Sequence, residues 1–316
     1  MKRWIILACT AVLALSLVGC ASSAAPDGGD AADGPTVRVG SLLDSEGTVL
    51  GSMVIQMLEE NGIPTEDKTK LGTPDVVREA LLQGEIDATI TYTGSGQYYH
   101  EGEEGDAKWQ DADKAYAAIK ELDKAAHNIE WLTPAPANNA EYIATTRAFA
   151  EANGIVDLSD FADYVNGGGT VKLIGAQAWM DSPIGLAGLE TAYGFGLEDS
   201  QLLGLSHGNT AEMLTALARG TDGVNFSLAY GTDGQLTELD LVIIEGGEGV
   251  APVYNPTPAF RGEIIEAYPN IPSILEPLFL TLDQKTLQEL NARVAFGGEQ
   301  PAAVAKDYLT TNGFLK

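Results

Sequence analysis

Residues 36–92 run strand, helix, helix, strand, and then break into the polar loop YTGSG. Val37 and Val39 alternate with polar neighbours in TVRVGSLL, the period-two pattern of a short strand. Ser45 is placed to cap a helix in which Val49, Leu50, Met53, Val54, Met57 and Leu58 recur at helical spacing, and Gly62 closes it. Thr73 is placed to cap PDVVREALLQ, which Gly84 stops, and the strand IDATITY ends at Tyr92. Strands alternating with helices bury their sheet between layers, so this order predicts an α/β fold. In open sheets of that class the ligand crevice lies outside the carboxyl ends of the strands, where Tyr92 and Ser95 fall.

A second α/β block runs through GTVKLIGAQAW, SPIGLAGLETAYG, TAEMLTALARG and GVNFSLAYGTDG. Between the blocks lie the charged loop HEGEEGDAKWQDAD, the amphipathic helix ADKAYAAIKELDKAA, the stretch IEWLTPAPANNAEYIATT and the helix TRAFAEANG. After them come a strand, LDLVIIEG, a proline-spaced stretch, APVYNPTPAFR, and C-terminal helices from Ile274. The two blocks read as separate lobes.

The first residues, MKRWIILACTAVLALSLVGC, combine a basic start with an apolar run from Trp4 to Val18, shorter than the roughly twenty residues a membrane span needs. They read as an export signal over 1–19. Leu17-Val18-Gly19-Cys20 resembles a bacterial lipobox, in which Cys20 is acylated and anchors the mature chain to the outer face of the cytoplasmic membrane. Cleavage would remove Cys9 and leave no possible disulfide framework. Residues 20–35 then form a flexible tether of Ala, Gly, Ser, Asp and Pro, too polar to pack. A formal net charge of −27 disfavours nucleic acid and anionic lipid surfaces as partners, and weakly favours a cationic ligand.

Dedicated catalytic patterns are missing. His100, His127 and His207 are far apart and lack nearby cysteines, which gives a metal site little support, and no phosphate-binding loop, dinucleotide fingerprint or nucleophile elbow occurs. With 45 acidic residues a carboxylate pair for a hydrolase stays open without being indicated.

Four separated stretches carry a resemblance: LLQGEIDATITYTGSG, WLTPAPANNAEYIATT, LAYGTDGQLTELDLVIIEGGEGVAPVYNPTPAFR and FGGEQPAAVAKDYLTTNGFL. Through them the chain resembles the glycine betaine/choline-type osmoprotectant-binding proteins of ABC importers, in register from Val37 to Leu315. The resemblance implies a type II periplasmic binding protein fold, two α/β lobes joined by two crossover segments and closing over a small cationic or zwitterionic solute. It places lobe I at 36–138 and 250–316 and lobe II at 139–249. It implies an ABC permease and its ATPase as partners, no cofactor and no catalysis.

A quaternary ammonium has no N–H to donate, so aromatic faces hold it best. Carried over residue by residue, the family's pocket gives Tyr92 and Ser95 in YTGS and Tyr230 in AYGTDG. In NNAEYI the polar position falls on Asn139, and the cage tyrosine falls on Glu141. Tyr142 is one place further, and one step along a strand reverses the face, so either Glu141 or Tyr142 faces the ligand. A further cage tyrosine becomes Leu214, and the family's two cationic carboxylate donors become Leu42 and Ser182. Trp179, in QAWMDSP, either replaces a missing cage face or packs in the core. Tyr254 reads as a hinge-packing residue, and Tyr98 and Tyr99 as packing or partly exposed ones. The altered cage leaves two rivals standing: a sensor or scaffold subunit of the same fold, and a secreted carboxylate-based hydrolase.

Overall fold

The computed structural model describes residues 34–247 and 249–316; the export signal, Cys20 and most of the tether lie outside the described residues. Two five-stranded sheets organise the chain. The first contains β1 (Val37–Leu42), β2 (Thr65–Gly72), β3 (Ala88–Tyr92), β4 (Ile129–Trp131) and, from late in the chain, β10 (Pro256–Arg261), in the order β2-β1-β3-β10-β4. The second contains β5 (Glu141–Thr146), β6 (Leu173–Ala176), β7 (Leu202–Leu205), β8 (Phe226–Tyr230) and β9 (Leu241–Ile243), in the order β7-β6-β8-β5-β9. The two orders match position for position. In each, the antiparallel strand next to the last, β10 or β5, is the first strand after the chain crosses from the other sheet.

Local chemistry explains the elements. Asp44, not Ser45, caps the first helix, Ser45–Glu60, by accepting the Gly47 N–H at 2.6 Å. Thr73 precedes the helix Pro74–Gln83 as expected, and Gly84 ends it with φ of 70°, a conformation glycine reaches without a Cβ penalty. The helix Ala112–His127 is capped by Asp111, which accepts the Lys114 N–H. β2, β7 and β10 are among the strands absent from the sequence reading. β2 is an edge strand of mostly exposed polar residues with no apolar alternation to announce it. β10 was a proline-spaced stretch, yet it is buried between β3 and β4. Its prolines fit because the positions that lack an N–H face the segment after the short β4, where the Pro258 and Pro256 carbonyls accept the Leu132 and Ala135 N–H groups. The C-terminal helices begin at Gly262 rather than Ile274.

The Ser45–Glu60 helix and the C-terminal helices cover one face of the first sheet around Leu50, Met53, Phe260 and Phe279, while Trp109, Ile119 and Trp131 fill the other face. The second sheet packs around Phe226, which meets Phe149 and Phe161 edge-on. The two crossovers lie side by side and are tied together. Asn139 N–H donates to the Tyr254 carbonyl at 2.9 Å, Tyr254 N–H donates to Asn138 Oδ1 at 2.8 Å, and Asn255 Nδ2 donates to the Ala137 carbonyl at 2.8 Å.

Candidate functional site

The carboxyl ends of β3 and β8 face each other across a cavity of about 440 Å³, within the size range of small-molecule sites. Leu42, Asp44, Glu46 and Tyr92 line it from the first sheet's side, Asn209, Thr210, Tyr230 and Asp233 from the second, with Asn139 from a crossover and Asn291 from a C-terminal helix. A smaller cavity of about 70 Å³ adjoins the crossovers and is lined by Glu141, Tyr142 and Trp179, among others.

Of the residues marked in the sequence, Tyr92, Asn139 and Tyr230 therefore share one cavity. Ser95 lies behind Tyr92 in a separate recess of about 40 Å³ beside Tyr99. Glu141 pairs directly with Tyr230 across the strands, which puts both side chains on one face and links the two cavities. Tyr142 pairs with Ala229 instead, and its hydroxyl accepts Asn138 Nδ2 at 3.0 Å, which ties it to the crossover. Trp179 is 4% exposed and belongs to the second core while also lining the smaller cavity. Leu42 lines the larger cavity, but the Ser182 hydroxyl accepts the Ile184 N–H within its own turn. Leu214 is fully buried in the second core.

A buried polar network that the sequence did not announce joins the lobes. Glu46 is 5% exposed, accepts the Tyr92 hydroxyl at 2.7 Å through Oε1, and accepts Asn291 Nδ2 at 2.9 Å through Oε2. The same Asn291 amide donates to the Thr232 carbonyl at 2.9 Å. Burial pushes Glu46 from its ordinary 4.5 up to about 7, although hydrogen bonds from Thr232, Tyr92 and Asn291 oppose the rise. Tyr92 is raised well above its ordinary value, by burial first and then by the Glu46 charge. Burial likewise lifts Asp233 to about 6, against the Tyr230 N–H and the Thr210 hydroxyl that it accepts.

Burial alone pushes Glu141 up to about 7. Tyr230 is pushed up to about 12 by burial and then by the charges of Glu141 and Asp233. Tyr254 is raised by burial, then by Tyr98, Glu141 and Tyr230. Neither Tyr98, which is 56% exposed, nor Tyr254 lines either cavity. The spacing of YTGSGQYY gives no phase for Tyr98, because the strand ends at Tyr92 and a short helix, Gly96–Tyr99, resets the direction of the side chains.

Two of the three histidines also meet. His100, Asp123 and His127 bring their potential ligand atoms within 4.8 Å of one another. Asp123 is already engaged, however: it accepts both Arg78 terminal nitrogens at 2.7 and 2.6 Å and Trp131 Nε1 at 2.7 Å, with His100 Nε2 at 2.9 Å. An ion there would have to displace the guanidinium, so the arrangement is a buried ion-pair network that braces the helix Gly96–Tyr99.

Comparison with known proteins agrees with this geometry. The family described as the substrate-binding domain of ABC-type glycine betaine transport systems matches residues 35–311. The glycine betaine-binding protein YehZ of Escherichia coli K12 is 42% identical over 280 residues, 89% of this chain and 92% of the relative. A glycine-betaine-binding protein of Pseudomonas aeruginosa is 28% identical, over 90% of both chains. The structure of apo YehZ superposes with a TM-score of 0.83, covering 89% of this chain and all of that one. That of a glycine betaine/carnitine/choline ABC transporter protein gives 0.78 at 21% identity, over 89% of this chain and 100% of the other, and supports the fold alone. The fold is that of the type II periplasmic binding proteins. The hydrolase reading gains no support from these matches.

Proposed function

The chain belongs to the family of substrate-binding domains of ABC-type glycine betaine transport systems, and from that premise we propose that it captures a quaternary-amine osmoprotectant of the choline and glycine betaine kind between its lobes. Proteins of this family bind small solutes outside the cytoplasm for ABC importers and are not enzymes. In our reading this chain has no catalytic role and delivers its ligand to a permease and ATPase, with Cys20 as its lipid anchor. We assign residues 36–138 and 250–316 to lobe I and 139–249 to lobe II, with the paired crossovers as the hinge.

The observation that carries the proposal is one cavity receiving Tyr92 from one sheet, Tyr230 from the other and Asn139 from the crossover. A ligand touching both lobes is bound fully only when they close, and so draws the population to the closed state. Tyr92, Asn139 and Tyr230 in the larger cavity and Glu141 and Trp179 in the adjoining one are the proposed contacts, and Ser95, in its separate recess, is proposed only as support behind Tyr92. Calorimetric titration with choline and glycine betaine is expected to show binding by at least one of them. Tyr230→Ala should weaken it about ten-fold, the worth of one desolvated cation–π face. Unchanged affinity in that variant would remove Tyr230 from the site. Cys20→Ala should move the protein from the membrane fraction to the soluble one, and retention in the membrane would refute the anchor.

A further inference from the structure

The cleft offers acids and no bases. Asp44, Glu46 and Asp233 line the larger cavity and Glu141 the smaller, and among the described residues no Lys, Arg or His lines either. Two amide side chains of the larger cavity hold a buried atom without a hydrogen-bond partner, and both atoms are acceptors, Asn139 Oδ1 and Asn291 Oδ1. Asn291 is 6% exposed and has already committed its Nδ2 to Glu46 and to the Thr232 carbonyl, so what it presents is the oxygen. Unpaired buried acceptors call for a donor or a positive charge. A carboxylate supplies neither.

Helix starts, where a backbone dipole could welcome an anion, reach the cleft at Ser45–Glu60, Pro74–Gln83 and Thr210–Arg219. Asp44, which accepts the Gly47 N–H, and Glu46 occupy the first, and Pro74 offers no N–H at the second. The remaining start is that of Thr210–Arg219. Asp233 stands there already, with Oδ1 accepting the Thr210 hydroxyl at 3.2 Å and Oδ2 accepting the Tyr230 N–H at 2.8 Å. A second carboxylate would meet like charge instead of a free donor. A cation meets the reverse conditions. Glu141 lies across from Tyr230 on the paired strand. Tyr230 thus stands beside a carboxylate that burial shifts. Aromatic faces and a counter-ion are complementary means of holding an ammonium group.

We infer that Glu141 is the specificity-determining counter-ion of the cleft, holding the ligand's cationic head beside Tyr230, so that the protein prefers ammonium cations without a carboxylate to zwitterions such as glycine betaine. The inference rests on the cleft being the solute site. The discrimination comes from repulsion as much as attraction, since each added acid penalises the zwitterion's carboxylate while serving the shared ammonium head.

The test is parallel calorimetry of the folded chain with choline and with glycine betaine, in wild type and Glu141→Gln. Wild type is expected to bind choline at least ten-fold more tightly than glycine betaine. Glu141→Gln should weaken choline about ten-fold or more and leave glycine betaine unchanged or improved, collapsing the ratio. Tighter binding of glycine betaine by wild type, or a ratio that survives Glu141→Gln, would overturn the inference while leaving the solute site standing. Binding of neither ligand would overturn the solute-site reading and this inference with it.

Discussion

Arg78→Ala should lower the unfolding free energy by about 3–5 kcal/mol, the usual result of removing one partner of a buried ion pair. Asp123 is 0% exposed and Arg78 nearly covered, and the guanidinium meets the carboxylate through two parallel hydrogen bonds. Burial by itself would raise the Asp123 pKa, but Arg78, Trp131 and His100 hold it below the ordinary value. An acid depressed in the folded state contributes stability above its unfolded pKa, and the contribution is lost as pH falls through the folded value. The defect in Arg78→Ala should therefore shrink toward acid pH, where a protonated Asp123 no longer needs a cation. Arg78→Lys should recover part of the loss, since it restores charge without the planar fork. Urea unfolding at two pH values reads both effects, and a loss that is small or independent of pH would refute the account. The site should feel the change too. Arg78 lies 4.3 Å from the centre of the Tyr99 ring, and the Tyr99 hydroxyl lies 3.1 Å from Thr91 Oγ1, so the pair braces the short helix that follows Tyr92.

What could be read in advance depended on whether a residue's role is set by its neighbours in sequence or in space. The alternation of strands and helices was legible because period-two and helical patterns are local, and Gly84, Asn128 and Gly220 do end helices in left-handed conformations. β2 was not legible, because an edge strand exposed on both faces needs no apolar alternation. β10 was hidden by Pro256 and Pro258, whose tolerance depends on a partner more than a hundred residues away ending early. At the cleft, Tyr92, Asn139 and Tyr230 were found through resemblance and do share a cavity. Glu46 was missed for a physical reason. An acid in the first turn of a helix normally reads as a solvated partner of the helix dipole, and only the meeting of β3, the segment after β8 and a C-terminal helix encloses it.

Glu46→Gln should change how stability depends on pH, and the direction follows from the sign of the shift. Glu46 rises from its ordinary 4.5 in the unfolded chain to about 7 in the folded one. The folded state therefore holds a proton that the unfolded state releases between those values, and stability falls as pH rises through that window. Full ionisation in this setting costs about 3 kcal/mol relative to the protonated form. Glutamine keeps the shape and can still accept from the Tyr92 hydroxyl, but it cannot ionise. The variant is thus expected to match wild type near pH 4.5 and to exceed it by up to about 3 kcal/mol above pH 7 in the absence of ligand. Other groups titrate in the same range with the same sign. Glu141 rises to about 7 and Asp233 to about 6, and Asp44 is raised as well, so wild type and variant should both lose stability with rising pH. The difference between them isolates Glu46. A saturating cationic ligand should narrow that difference, because it stabilises the ionised carboxylates facing the cleft and binds only the folded state. Unfolding curves at pH 4.5, 6 and 8 with and without choline measure each component. Equal stability of variant and wild type at pH 8 would show that Glu46 ionises without cost, and that its hydrogen bonds from Tyr92, Asn291 and Thr232 outweigh its burial.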